Sequence, residues 1–116
     1  SFFLTQPIYA DADVERIKDL KDRTGAKIIG GIMPLVSRKN ALFIANEMPG
    51  MHVPPETLAY YEDGMSRSEY EEVAIRVSVE IARKMSSIVD GYYFMTPFNR
   101  VELICNIIER IREENL

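Results

Sequence analysis

Lys27-Ile28-Ile29-Gly30-Gly31-Ile32-Met33-Pro34 is the stretch on which the fold turns. After Lys27 no side chain in it carries a charge or a strong hydrogen-bonding group, and Pro34 closes it. A strand with one wet face alternates apolar and polar residues; a near-continuous apolar run suits a parallel strand covered on both faces. Parallel neighbours need long crossovers, so the flanking segments should be helices. Upstream they have that pattern. Val14, Ile17 and Leu20 share one helical face, Asp11 or Asp13 can cap the start, and Gly25 supplies the stop. Asp19 and Arg23 stand four apart as a solvent-side pair. Before that helix, Phe2-Phe3-Leu4-Thr5 reads as a second buried strand, ended by Gln6-Pro7.

Downstream, Ser37 is placed to cap a helix running to about Met48, with Ala41, Ile44 and Ala45 inward and Pro49-Gly50 as its stop. Pro54-Pro55 opens a short helix to about Asp63-Gly64. Ser66 and Glu69 have capping-box spacing, and Tyr70, Val73, Val77, Ile81, Met85 and Ile88 form one stripe on the long helix that follows. Glu80 and Lys84 are spaced to pair on its outside. Residues 91–95, Gly-Tyr-Tyr-Phe-Met, form a third strand. Asn99 and Glu102 repeat the cap spacing before a last helix that buries Ile104, Ile107, Ile108 and Ile111. The order is β-α-β-α-α-α-β-α, an α/β pattern with a parallel sheet.

A sheet of three strands has two open edges, which need pairing or cover. Self-association through those edges, or further strands from the same protein, is therefore expected. Because Ser1-Phe2-Phe3-Leu4 begins inside an apolar run, residues 1–116 are expected to be a fragment, three consecutive units of a larger barrel or doubly wound sheet. Composition narrows the function classes. With 47% hydrophobic and 28% charged residues the chain has the make-up of a water-soluble domain. Its net charge of −4, without a basic block, argues against nucleic acid as a partner. No apolar run approaches the roughly 20 residues that span a bilayer, so no membrane partner is expected. A single cysteine, Cys105, excludes an internal disulfide and fits a cytoplasmic location.

In either parallel architecture ligands bind beyond the C-terminal ends of the strands. Those ends carry Thr5-Gln6-Pro7, Met33-Pro34-Leu35 and Met95-Thr96-Pro97-Phe98-Asn99-Arg100. Gln6 and Asn40 offer donors and acceptors suited to the edge of a heterocycle, and Arg100 a planar fork for a carboxylate or carbonyl. Arg100 also opposes the dipole of the helix it begins, which favours a role other than structure. Asn99 is read as an N-cap. His52 is the only histidine and has no Cys or carboxylate at metal-ligand spacing, so no metal site is expected. Gly30-Gly31 lacks the dinucleotide fingerprint and is read as allowing close packing or a bulge.

Three segments resemble one family in order and spacing: Phe2-Phe3-Leu4-Thr5-Gln6-Pro7-Ile8-Tyr9; Gly31-Ile32-Met33-Pro34-Leu35-Val36-Ser37 running on through Asn40-Ala41 to Asn46-Glu47-Met48-Pro49-Gly50; and Tyr93-Phe94-Met95-Thr96-Pro97-Phe98-Asn99-Arg100. They look like the last three βα units of methylenetetrahydrofolate reductases, and are most similar to the reductase module of bifunctional enzymes that also carry a homocysteine S-methyltransferase. The resemblance implies the C-terminal part of a (β/α)8 TIM barrel. The family's enzyme is FAD-dependent and reduces 5,10-methylenetetrahydrofolate to 5-methyltetrahydrofolate with NAD(P)H. The resemblance implies folate contacts at Gln6, Asn40 and Arg100; Ile44 stands where some members carry an aromatic. The proton-transferring glutamate and most FAD contacts belong to earlier strands in the family. No catalytic residue is thus assigned here, and the fragment alone is expected to be inactive. Two other readings stay open: a non-catalytic βα module that self-associates, and a piece of another TIM-barrel enzyme.

Overall fold

The computed structural model describes residues 2–116; Ser1, where the sequence reading begins the first apolar run, lies outside them. Strands β1 (Phe2–Pro7), β2 (Lys27–Ile32) and β3 (Gly91–Phe94) form one parallel sheet in the order β1-β2-β3. Between them run α1 (Asp11–Thr24), α2 (Arg38–Glu47), α3 (Pro55–Ala59) and α4 (Arg67–Met85). After β3 a single 3-10 turn (Pro97–Asn99) leads into α5 (Val101–Glu113). The expected β-α-β-α-α-α-β-α order and parallel sheet are both present. Among the described residues no helix is long and apolar enough to cross a membrane.

The helices form where local chemistry dictates. Ser37 caps α2 by accepting from Asn40 N at 3.0 Å. Ser66 and Glu69 close a full capping box on α4, with bonds of 2.9 and 3.1 Å. Gly25 ends α1 in the left-handed region (φ 67°) and returns its N–H to Lys21 O. Two expected caps differ. α1 has Ala10 as its N-cap with no side-chain bond, because Asp13 turns instead to Arg16 and His52. α5 starts from Arg100, since Asn99 has φ 55° and cannot present its side chain to the turn as a cap does. The expected Glu80–Lys84 pair is also replaced. Glu80 accepts from Arg83 at 2.6 Å, while Lys84 reaches Asp11 in the first turn of α1 at 2.7 Å. The short helix stops at Ala59, sooner than its sequence suggested.

α4 is the central helix: Val73, Ala74, Ile75, Val77, Ser78, Val79, Ile81, Ala82 and Met85 are all buried. It packs on β2, on α1 and on α5, and α1 packs on β2 beside it. Ile28 and Ile32 of β2 face this helical layer and are almost fully buried. α5 contributes Leu103, Ile104, Ile107 and Ile111, with Leu103 taking the inward place expected of Ile108. Among the described residues no helix packs extensively on the opposite face of the sheet. By strand alternation it carries Phe2, Leu4, Ile29, Gly31 and Tyr93. Phe2 and Leu4 are 63% and 61% exposed there. The central strand is therefore helix-covered on one side only; over Gly31 the cover on the other is the Tyr93 ring.

Tyr61 is fully buried, and its hydroxyl has no hydrogen-bond partner among the described residues. Burial pushes this phenol far up from its ordinary ionisation range. A lone buried hydroxyl costs more than it contributes, so Tyr61→Phe is expected to raise unfolding free energy by about 1 kcal/mol. Urea midpoints at unchanged slope measure this, and a destabilised variant would show that the hydroxyl is bonded after all.

Candidate functional site

The C-terminal rim of the sheet gathers the strand ends and the loops that follow them. Tyr9 stitches two of these loops together: it is buried and donates its hydroxyl to Met33 O at 2.8 Å. Gln6 is exposed at the end of β1. Its Oε1 lies against Gly50 (φ 82°), where a Cβ would sit 3.1 Å from it. No hydrogen bond engages the Gln6 amide among the described residues, so its donors and acceptor are free for a ligand.

Asn40 is in a different situation. It sits in the first turn of α2, and its Oδ1 accepts from Val36 N at 3.0 Å. The oxygen is thus occupied in fixing the loop after β2, and only the Nδ2 donors remain for a ligand. Arg100 leans toward the helical layer. Its guanidinium, 13% exposed, bonds Glu71 of α4 at 3.0 Å. That partner offsets the unfavourable helix dipole: a carboxylate from the first turns of α4 balances a cation at the start of α5. All three residues belong to the same rim by topology, yet no hydrogen bond joins any of them to another among the described residues.

Three further features of the rim escaped the sequence reading. Asp13, nearly buried in the first turn of α1, holds Arg16 at 3.0 Å and His52 Nδ1 at 3.2 Å. His52 is 39 positions away, so no local spacing could announce the pair. Phe98 and Asn99 both have φ near 55°. Asn tolerates this left-handed region; Phe adopts it rarely, and Phe98 does so while 74% exposed. Tyr93 lies over Gly31 and donates to the carbonyl of Thr5, immediately before Gln6.

Among the described residues, cavities of about 170–470 Å³ include one that reaches Tyr9, and Gln6, Asn40 and Arg100 do not line these. One, of about 470 Å³, is an apolar trough along the β3 edge, lined by Tyr92, Phe94, Ile108, Ile111 and Leu116 among others. The rim residues present do not by themselves make a flavin cradle: they offer one unengaged amide, two amide donors and a paired guanidinium. Cys105 is an exposed free thiol on α5. No family model matches the chain, and no curated protein matches its sequence.

Proposed function

We propose that this chain is the C-terminal βα triplet of a methylenetetrahydrofolate reductase-like (β/α)8 barrel, contributing part of the folate wall of a flavin-dependent oxidoreductase. The observation that carries the reading is the Gln6 amide. It is exposed at the C-terminal end of a parallel strand, and among the described residues neither end is hydrogen-bonded, which suits reading a heterocycle edge. The winding fits a barrel. Consecutive strands are neighbours and α1 and α4 share one face of β2, the arrangement of successive units in a barrel and equally of one half of a doubly wound sheet; the family motifs favour the barrel. The bare face with Phe2 and Leu4 then becomes barrel interior, and the trough beside β3 accepts the next element of the ring.

On this reading FAD and NAD(P)H are held mostly by strands outside the triplet, and no step of the hydride transfer falls to its residues. The bound flavin supplies the hydride chemistry; these residues orient the folate. The isolated chain is expected to show no reductase activity and no stoichiometric flavin binding. Joined to the first five βα units of a reductase of this family, it should restore activity. Gln6→Ala in that assembly should then lower the folate half-reaction by about tenfold to a hundredfold, while flavin reduction by NAD(P)H keeps its rate. Tight flavin binding by the chain alone, or equal loss in both half-reactions, would overturn the assignment.

A second reading rests on the exposed Phe2 and Leu4 beside the unpaired edge of β1. A non-catalytic module would cover that surface by self-association. Sedimentation separates the two: a concentration-dependent dimer that Leu4→Lys converts to monomer favours the module.

A further inference from the structure

We propose that Tyr93 is a positioning residue for Gln6, acting across the full width of the sheet; the proposal rests on reading Gln6 as the ligand-facing amide. β1 pairs with β2 in regular register up to Leu4↔Ile29, but the next partners are Pro7↔Gly31. Two steps along β2 are thus matched by three along β1, so one extra residue is accommodated at Thr5–Gln6. Such a bulge re-aims the side chain at which it occurs.

What holds the bulge is specific. The Gly31 amide, which a regular ladder would give to a β1 carbonyl, donates instead to Thr5 Oγ1 at 2.9 Å. That hydroxyl donates on to Gln6 O at 2.8 Å. The ladder resumes with Ile8 N to Gly31 O at 3.2 Å. The Thr5 carbonyl, released from the ladder, takes the Tyr93 hydroxyl. To reach it the phenol must cross β2, and it does so over Gly31. A Cβ at that position would sit 2.8 Å from Oη and 2.9 Å from Cζ. Gly31 is therefore glycine because the strut passes over it. On the far side, the Gln6 Oε1 faces Gly50, where a Cβ would sit 3.1 Å from it. A hydroxyl on β3 thus fixes the backbone of β1 one residue before the amide that meets the ligand.

The test uses the whole 116-residue chain, ¹⁵N-labelled, with the Gln6 side-chain amide signals identified by their loss in Gln6→Ala. Folinic acid, a stable reduced folate, is the probe, and melting temperature is followed in parallel. Wild type should show a dispersed Gln6 amide pair. Tyr93→Phe should collapse that pair toward its unstructured position and weaken folinate binding by about tenfold, with a small change in melting. An unchanged Gln6 pair and unchanged affinity in Tyr93→Phe would overturn the proposal. Should that variant unfold, the wild type still decides: the strut requires a slowly exchanging Tyr93 hydroxyl proton, and a freely exchanging one overturns it. If wild type ignores folinate while Tyr93→Phe still disorders the amide, the folate reading falls and the positioning role stands.

Discussion

Met85→Ala is expected to cost about 2–5 kcal/mol and Gly30→Ala about 1–3 kcal/mol, and the double variant less than their sum. Met85 is fully buried at the end of α4, on the helical side of β2. A Cβ at Gly30 would lie 3.0 Å from its sulfur and 3.2 Å from both its methyl and Val89 Cγ1. The missing side chain on the strand and the long one on the helix are thus a size pair. Truncating Met85 leaves a cavity over Gly30; adding a methyl at 30 with Met85 present overpacks the same space. Together the methyl enters the cavity, and coupling of at least about 1 kcal/mol should appear, limited by Val89. Urea unfolding of the four proteins at constant slope measures the cycle. Simple additivity would mean that helix and strand do not meet at this point.

Asn40→Ala is expected to destabilise by about 1–3 kcal/mol, because it strands the N–H of Val36, a buried residue. Asn40→Asp should stay close to wild type. It keeps an oxygen for Val36 and puts a negative charge near the start of α2, whose first turn has no acidic residue, a gain of about 0.3–1 kcal/mol. The contrast separates two roles that one side chain carries. The oxygen serves the loop; only the Nδ2 donors are available to a ligand. In the assembled reductase, Asn40→Asp should therefore weaken folate turnover while the melting temperature holds. Equal stability of the two variants would show that the Val36 bond contributes nothing, and the division of roles would fail with it.

Arg100 shows how a distant partner can satisfy a rim residue structurally. Glu71 engages a single nitrogen of its guanidinium fork, at 3.0 Å. By sequence alone a cation at a helix start is unfavourable; a carboxylate from α4, 29 positions away, provides the balance. The Asp13–His52 contact has the same character, drawing the segment after α2 onto the first turn of α1.

Much of the fold was legible because its signals are local. The unbroken apolar run at 27–33, the 3.6-residue stripes, Ser37, the Ser66/Glu69 box and Gly25 each act within a turn or two of chain, and each appears where its spacing places it. Signals that failed were also local, but distant groups displaced them. Asp13 left its cap for Arg16 and His52, and Lys84 left Glu80 for Asp11. The side that β2 turns to the helices was not readable either, since Ile29 and Ile28 are the same kind of residue.

By itself the sequence determined the kind and order of the elements and the rim to which Gln6, Asn40 and Arg100 belong. Backbone periodicity and strand direction are properties of consecutive residues. Only the tertiary structure decided which of those three side chains is free, which is half used by Val36 and which is paired with Glu71, and that Tyr93 spans β2 to reach Thr5. Hydrogen-bond choices of this kind are settled by distances between groups far apart in the chain, where several partners differ by about 1 kcal/mol and proximity alone selects among them.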